Sequence, residues 1–389
     1  MSRLTDTGRH PQLESVAALK PEGTTLPPLP PVDWKRIGKA APVNIPIADR
    51  HPDDPLPAAD IVVVTWTNAE WSAFDHVFCN SDSSRTSSET QWQNDWQLYT
   101  KGAPQPPPPP ATDFHLWGYF RMVQITGLSG KKLSVLLFKA QTHLAYDPYL
   151  AGLITMTQAI LSDTGAACLY SIGTAGGVDD SGLLGNTVIT NSGYLQMTKP
   201  ENDQSPLNNQ LYTCKSWFPS FDLVEAVQKH LLYPLSNVAS WPLYNTMFTQ
   251  LEAYIAKDDP TIDMSCISVD DLVNKPLNPV NLHQPQTTNC RDFPLLTTDF
   301  YYIAQPGDGK KYCILEMDDA VLGEVAETMN VQYAFVRNVS DTVVPDKTIN
   351  GESIPAPVQQ EWSALVYNNF GFYTSYNGAL SAWATLAAM

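Results

Sequence analysis

Three acids surround one methionine in Leu315-Glu316-Met317-Asp318-Asp319-Ala320, and a later apolar run ends in Val336-Arg337-Asn338-Val339-Ser340-Asp341. Carboxylates are rarely buried without a partner. Acids set beside apolar, strand-like runs with an arginine in reach therefore read first as a site. Carboxylates so placed can move a proton or accept paired hydroxyl groups. Two further signals lie upstream. Ser171-Ile172-Gly173-Thr174-Ala175-Gly176-Gly177-Val178 offers glycines that permit close backbone approach to a ligand, and Ile61-Val62-Val63-Val64-Thr65 runs on to Glu70.

The elements that must position these residues alternate between strand and helix. Ile61–Val64 is a β-branched run of the kind buried on both faces of a sheet. Strands are expected at Tyr119–Thr126 and Leu133–Phe138, with Gly127 and Gly130 marking a hairpin turn. Others are expected at Ala167–Ile172, Asn186–Thr190, Pro294–Tyr302, Tyr312–Glu316 and Ala334–Val339. The spacing predicts helices over Leu150–Leu161, Phe221–Leu232, Ala320–Met329 and most of Trp362–Met389. Such alternation predicts an α/β fold with a largely parallel or mixed central sheet flanked by helices. Residues 1–58 are proline-rich (Pro27, Pro28, Pro30, Pro31, Pro42, Pro46) and read as an extended arm, reaching a neighbour through Trp34, or as a disordered tail. The domain proper then spans 59–389, with insertions at about 80–113 and 202–290, the latter irregular apart from Phe221–Leu232.

Composition narrows the function. Twenty-three basic against 40 acidic residues give a net charge of −17 over 389 residues, which argues against a nucleic-acid backbone as partner. No apolar run approaches a membrane span, and Met1-Ser2-Arg3-Leu4-Thr5-Asp6 opens no secretory signal. The six cysteines are scattered, as expected of reduced thiols in a cytoplasm. The histidines show no metal-ligand spacing, so no metal and no cofactor are expected.

Taken together, the Gly-Thr-Ala-Gly-Gly segment, Glu70 beyond its strand, Glu316-Met317-Asp318 and Ser340-Asp341 resemble the purine nucleoside phosphorylase / nucleosidase superfamily. Within it they are most similar to the methylthioadenosine/S-adenosylhomocysteine nucleosidases. The resemblance spans roughly residues 60–345 and implies a single nucleoside phosphorylase-like domain, an N-ribosyl hydrolase acting on a purine nucleoside or nucleotide, and a homo-oligomer. It implies that Glu70 activates water, that Asp341 protonates the leaving purine, and that Glu316 belongs to the catalytic set. Thr174, Ala175 and Gly176 would flank the ribose and water, with Met317 as an apolar floor under the sugar. Asp318, one methylene shorter than the family's glutamate, would hold the 2′- and 3′-hydroxyls. Arg337 would orient the acids, Ser340 would line the site beside Asp341, and Tyr301, with Tyr302 next to it, would stack on the base. The superfamily also includes nucleotide-destroying effectors of antiviral defence, which the arm and insertions would suit.

Other readings of the same residues stay open. Glu70 could be a first-turn glutamate favoured by the helix dipole, Asp319 a solvated helix start, Ser340 or Asp341 a helix cap, and residues 300–302 an aromatic core strand. A phosphorylase would need a phosphate site. Where the superfamily's phosphorylases carry Gly-Asp-Pro and an arginine, this chain has Thr65-Trp66-Thr67 and Ser171, so water is the expected nucleophile. The alternatives are a phosphorylase using Lys139 or His143 for the anion, and a non-catalytic nucleoside-binding relative.

Overall fold

A computed structural model describes residues 26–48, 50–104, 117–145, 149–178, 184–216, 219–235, 238, 240–273, 287–289, 293–305, 307–341, 348–349 and 352–389. Among them thirteen strands form one mixed sheet. In chain order they are β1 (Val43–Asn44), β2 (Ile61–Thr65), β3 (Gln97–Tyr99), β4 (Gly118–Thr126), β5 (Lys132–Ala140), β6 (Cys168–Gly176) and β7 (Thr187–Thr190). There follow β8 (Ser192–Gln196), β9 (Gln210–Thr213), β10 (Thr287–Asn289), β11 (Leu295–Thr298), β12 (Leu315–Glu316) and β13 (Gln332–Asp341). The helices flanking them are α1 (Asn68–Phe78), α2 (Tyr149–Thr164), α3 (Val224–His230), α4 (Trp241–Asp258), α5 (Asp319–Thr328) and α6 (Ala356–Ala387). The expected α/β class with a mixed, helix-flanked sheet is what the chain forms.

The centre of the sheet is parallel. Strand β6 lies between β2, with Val64 opposite Ser171, and β13, with Arg337 opposite Gly173. Every residue of β2 is buried, which is why its β-branched run carries no polar alternation. The register of β13 against β6 slips between Val339 and Asp341, leaving Ser340 as the extra residue of a bulge. Bulges re-aim side chains beside functional sites.

Helix α6 is unusual in that 27 of its 32 residues are buried. A helix apolar on all sides belongs in a core rather than on a surface, and α6 packs on α1, α4, β6 and β13. Its small residues make that possible. Gly378 faces Asn338, where a Cβ would overlap Asn338 Oδ1, and Asn338 donates to Thr374 Oγ1 at 2.9 Å.

Several expectations need correction. The strand expected at Ala167–Ile172 runs on to Gly176, so the glycine-rich segment at 173–176 is the carboxyl end of β6, paired with β13 throughout. The expected strand at Tyr312–Glu316 shrinks to Leu315–Glu316, and Pro294–Tyr302 to Leu295–Thr298. The latter stops because Asp299, fully buried, turns back to accept from the N–H groups of Thr198 and Lys199 and from Asn202 Nδ2. The described residues of 202–290 hold more regular structure than expected: Phe221–Leu232 holds the shorter α3, and α4 adds 18 residues. Its stripe Leu243, Tyr244, Met247, Leu251, Ile255, with Pro242 in the first turn, has the spacing of an amphipathic helix. Trp34, expected to reach a neighbour, packs within its own chain against Trp383 with ring centroids 4.4 Å apart.

Gly378→Ala sets two effects against each other. Alanine gains about 1 kcal/mol of helix propensity, whereas overpacking a buried contact costs about 1–3 kcal/mol. Because Asn338 is buried and hydrogen-bonded, the clash should win. Thermal unfolding is expected to show a lowered midpoint, and an unchanged or raised one would show that Asn338 yields freely.

Candidate active site

At the carboxyl ends of β2, β6 and β13 lies a cleft of about 110 Å³, the position where open α/β sheets take ligands. Glu70, Thr174, Ala175, Gly176, Tyr301, Tyr302, Glu316, Met317, Asp318, Arg337 and Ser340 all line it. The backbone of Asp341 ends β13 opposite Gly176, but its side chain lies outside the described residues. Trp66, Thr67, Thr298, Ser363 and Tyr367, which no motif marks as site residues, also line it. Ser363 and Tyr367 come from α6, and no local signal marks them.

Glu70 sits at the third position of α1 and completes a capping box with Thr67, so the helix-start reading holds as well. The same carboxylate does more. Its Oε2 accepts from the N–H groups of Trp66 (3.0 Å) and Thr67 (2.9 Å), while Oε1 accepts from the N–H (2.7 Å) and hydroxyl (2.6 Å) of Thr174. Glu70 is thereby fixed between α1 and β6. Only glycine fits at 173, since a Cβ would stand 2.5 Å from Arg337 Nη1 and 3.1 Å from Glu70 Oε1. The phenol of Tyr367 donates to Thr67 Oγ1 at 2.7 Å, closing this side of the cleft.

Arg337 is the hub of the opposite wall. Its Nε donates to Asp319 Oδ2 (2.8 Å), its Nη2 to Asp319 Oδ1 and to Glu316 Oε2 (3.1 Å), and its Nη1 to the Thr174 carbonyl (3.1 Å). Asp319 is therefore no solvated helix start: it is fully buried because the arginine on β13 points at it. Burial alone would pull the guanidinium down, but the charges of Asp319 and Glu316 outweigh it and raise its pKa. Glu316 also accepts from the Thr297 hydroxyl and from the N–H groups of Asp318 (2.6 Å) and Asp319 (3.0 Å). Burial, and then the charge of Asp319, push Glu316 up to about 7 against the pull of Arg337.

Asp318 turns toward the loop after β5. Its Oδ1 accepts from the Leu144 N–H at 2.9 Å, and its Oδ2 lies 3.2 Å from His143 Nε2. Burial and the neighbouring Glu316 raise its pKa well above the usual carboxylate range. Ser171, where a phosphorylase would need arginine, accepts from Trp66 Nε1 (3.1 Å) and Arg337 Nη2 (3.3 Å). Lys139 is buried away from the cleft, donating to the Ala140 carbonyl at 2.9 Å. Tyr302 is anchored through its hydroxyl to Asp308 Oδ2 at 2.8 Å. Among the described residues no group of three or more His, Cys, Asp or Glu is arranged to hold a metal ion, and no helix is long and apolar enough to cross a membrane.

No family model matches the chain, and no curated protein does. Among solved structures, it is similar to the 5′-methylthioadenosine/S-adenosylhomocysteine nucleosidase of Neisseria meningitidis in complex with methylthio-immucillin-A (10% identity, TM-score 0.43, 85% of this chain and 99% of that one). It is also similar to the S-adenosylhomocysteine nucleosidase of Streptococcus pyogenes in complex with 5-methylthiotubericidin (11% identity, TM-score 0.43, 86% and 98%). A third is the futalosine hydrolase of Helicobacter pylori (8% identity, TM-score 0.42, 85% and 97%).

The raised Glu316 has a consequence for stability. Its ordinary value is 4.5 and its folded value about 7, so between those two pH values the folded chain holds a proton that the unfolded chain has lost. This group's contribution to stability therefore falls as pH rises through the window and is flat above it. Glu316→Gln removes that slope. Urea unfolding at pH 5 and pH 8 should show the variant losing less stability over the interval than wild type, by on the order of 2 kcal/mol. Equal losses would mean that Glu316 is ionised across the whole range.

Proposed function

We propose that the cleft hydrolyses the N-glycosidic bond of a purine nucleoside or nucleotide, releasing free base. The observation that carries this reading is Glu70, a buried carboxylate lining the cleft and held by donors from two elements. Such a group is pre-aimed, and only the Thr174 hydroxyl must give way at Oε1 for it to act as a base. Water replaces the Thr174 hydroxyl at Oε1, gives its proton to Glu70 and attacks C1′ as the glycosidic bond breaks through an oxocarbenium-like state. Asp341 protonates the leaving base, because a purine anion leaves poorly. Met317 floors the sugar, Asp318 accepts its hydroxyls, and Tyr301 stacks on the base, a contact tolerant of base identity.

Electrostatics favour water over phosphate as nucleophile. Among the described lining residues Arg337 carries the only guanidinium or ammonium group, and Glu70, Glu316 and Asp318 supply carboxylates. The guanidinium is already engaged by Asp319, Glu316 and Thr174. A phosphate dianion entering here would meet the Glu70 carboxylate and find no free fork to bind it.

Incubation with a panel of purine nucleosides and nucleotides in phosphate-free buffer should release free base, detected by chromatography. Turnover only with added phosphate, yielding ribose 1-phosphate, would overturn the hydrolase reading. Glu70→Gln and Asp341→Asn should each lower kcat by about 10²–10⁴-fold while leaving the unfolding midpoint close to wild type for Asp341→Asn. Activity within a few-fold of wild type removes the residue concerned from the mechanism.

A further inference from the structure

Asp318 takes no part in the Arg337 cluster, although Glu316 and Asp319 on either side of it do. Its partners come from one short loop following β5: the Leu144 N–H on Oδ1 and His143 on Oδ2. The imidazole is itself fixed. Nδ1 accepts from the Ala145 N–H at 3.1 Å, so a neutral ring must carry its proton on Nε2, facing Asp318. A second hydrogen bond setting the tautomer in this way is how proteins aim an imidazole. The Trp66 ring stands edge-on to it, with centroids 6.4 Å apart and an interplanar angle of 84°.

We propose that His143 is a positioning residue for Asp318, and that the pair selects substrates with an intact ribose diol. This rests on the nucleoside reading above. A carboxylate offers about four lone-pair sites. With Leu144 and His143 on two of them, two remain for a pair of sugar hydroxyls. A side chain that turned away would remove an acceptor from the cleft. His143 Nε2, 3.2 Å from Oδ2, and the Leu144 N–H on Oδ1 together fix its orientation. The side chain at 318 is short, and the loop that grips it sets where its oxygens stand.

The test measures equilibrium binding of adenosine and 2′-deoxyadenosine by calorimetry in a Glu70→Gln background, where the ligand is not consumed, with His143 intact or changed to Leu or Gln, alongside base release by the same His143 variants with Glu70 intact. Losing one charge-assisted hydrogen bond network should weaken adenosine binding by about 10-fold or more in His143→Leu. Binding of 2′-deoxyadenosine should change much less. His143→Gln, whose amide can donate to Asp318, should recover most of the difference, and KM should move more than kcat. In an Asp318→Ala background, His143→Leu should add little, a comparison that keeps the proposal testable if the single leucine variant folds poorly. Equal weakening of both nucleosides, unchanged adenosine binding, or additive effects of the two substitutions would overturn the proposal. If the binding pattern holds but no base is ever released, the hydrolase reading fails while the role of His143 stands. If neither nucleoside binds, the role assigned to His143 falls, while base release from the wider nucleoside and nucleotide panel decides the hydrolase reading separately.

Discussion

One buried guanidinium organises the site. Arg337 projects from β13 across Gly173 and binds Asp319 at the start of α5, Glu316 on β12 and the Thr174 carbonyl on β6. Each of these groups would be costly to bury alone. Truncating one member of such a cluster typically costs about 3–5 kcal/mol, because it leaves an uncompensated charge behind. The cluster therefore fixes the relative placement of three strands and a helix at the sheet's carboxyl edge. It also decides the chemistry left over: the arginine is committed to structure, so the cleft presents acceptors rather than an anion clamp.

Around that hub three carboxylates are given different environments. Glu70 receives only donors, from three backbone N–H groups and the hydroxyls of Thr65 and Thr174. Glu316 shares Arg337 with Asp319 and is pushed upward by burial and by that neighbour's charge. Asp318 is handed to a separate loop. Residues of one chemical type separated in this way can serve separate roles, which is how sites place an acid and a base side by side. Apart from Arg337 and His143, the donors are backbone N–H groups and threonine hydroxyls, so the arrangement leans on strand register.

The central strands were legible because burial on both faces leaves an unbroken β-branched run, as in Ile61–Thr65. The cleft residues of β12 and β13 were legible because acids and an arginine are out of place in such runs. What escaped the sequence are facts of register and packing. That Asp319 is an ion-pair partner follows from Arg337 lying opposite Gly173, which no local pattern encodes. The glycine-rich stretch looks like a turn because glycine is common in turns, yet here it lets Arg337 and Glu70 approach the strand. The sequence offers His143 only as a candidate anion contact. No motif marks its place beside Asp318, and its neighbour Leu144 bonds to Asp318 across 174 positions. The helix Trp241–Asp258 did carry a readable apolar stripe, obscured by a region rich in prolines and polar residues.

The final helix ties these observations together. Ser363 and Tyr367 line the cleft from α6, and Tyr367 bonds to Thr67 across 300 positions. Thr67 in turn caps the helix that carries Glu70. The buried α6 also packs on β13 and β6, the strands that present Arg337 and Thr174. A helix so deeply enclosed has little stability apart from the sheet it fills, and that sheet has no complete cleft without it. The wall of the cleft is thus also a wall of the core, which is why so much of it comes from residues with no catalytic signature of their own.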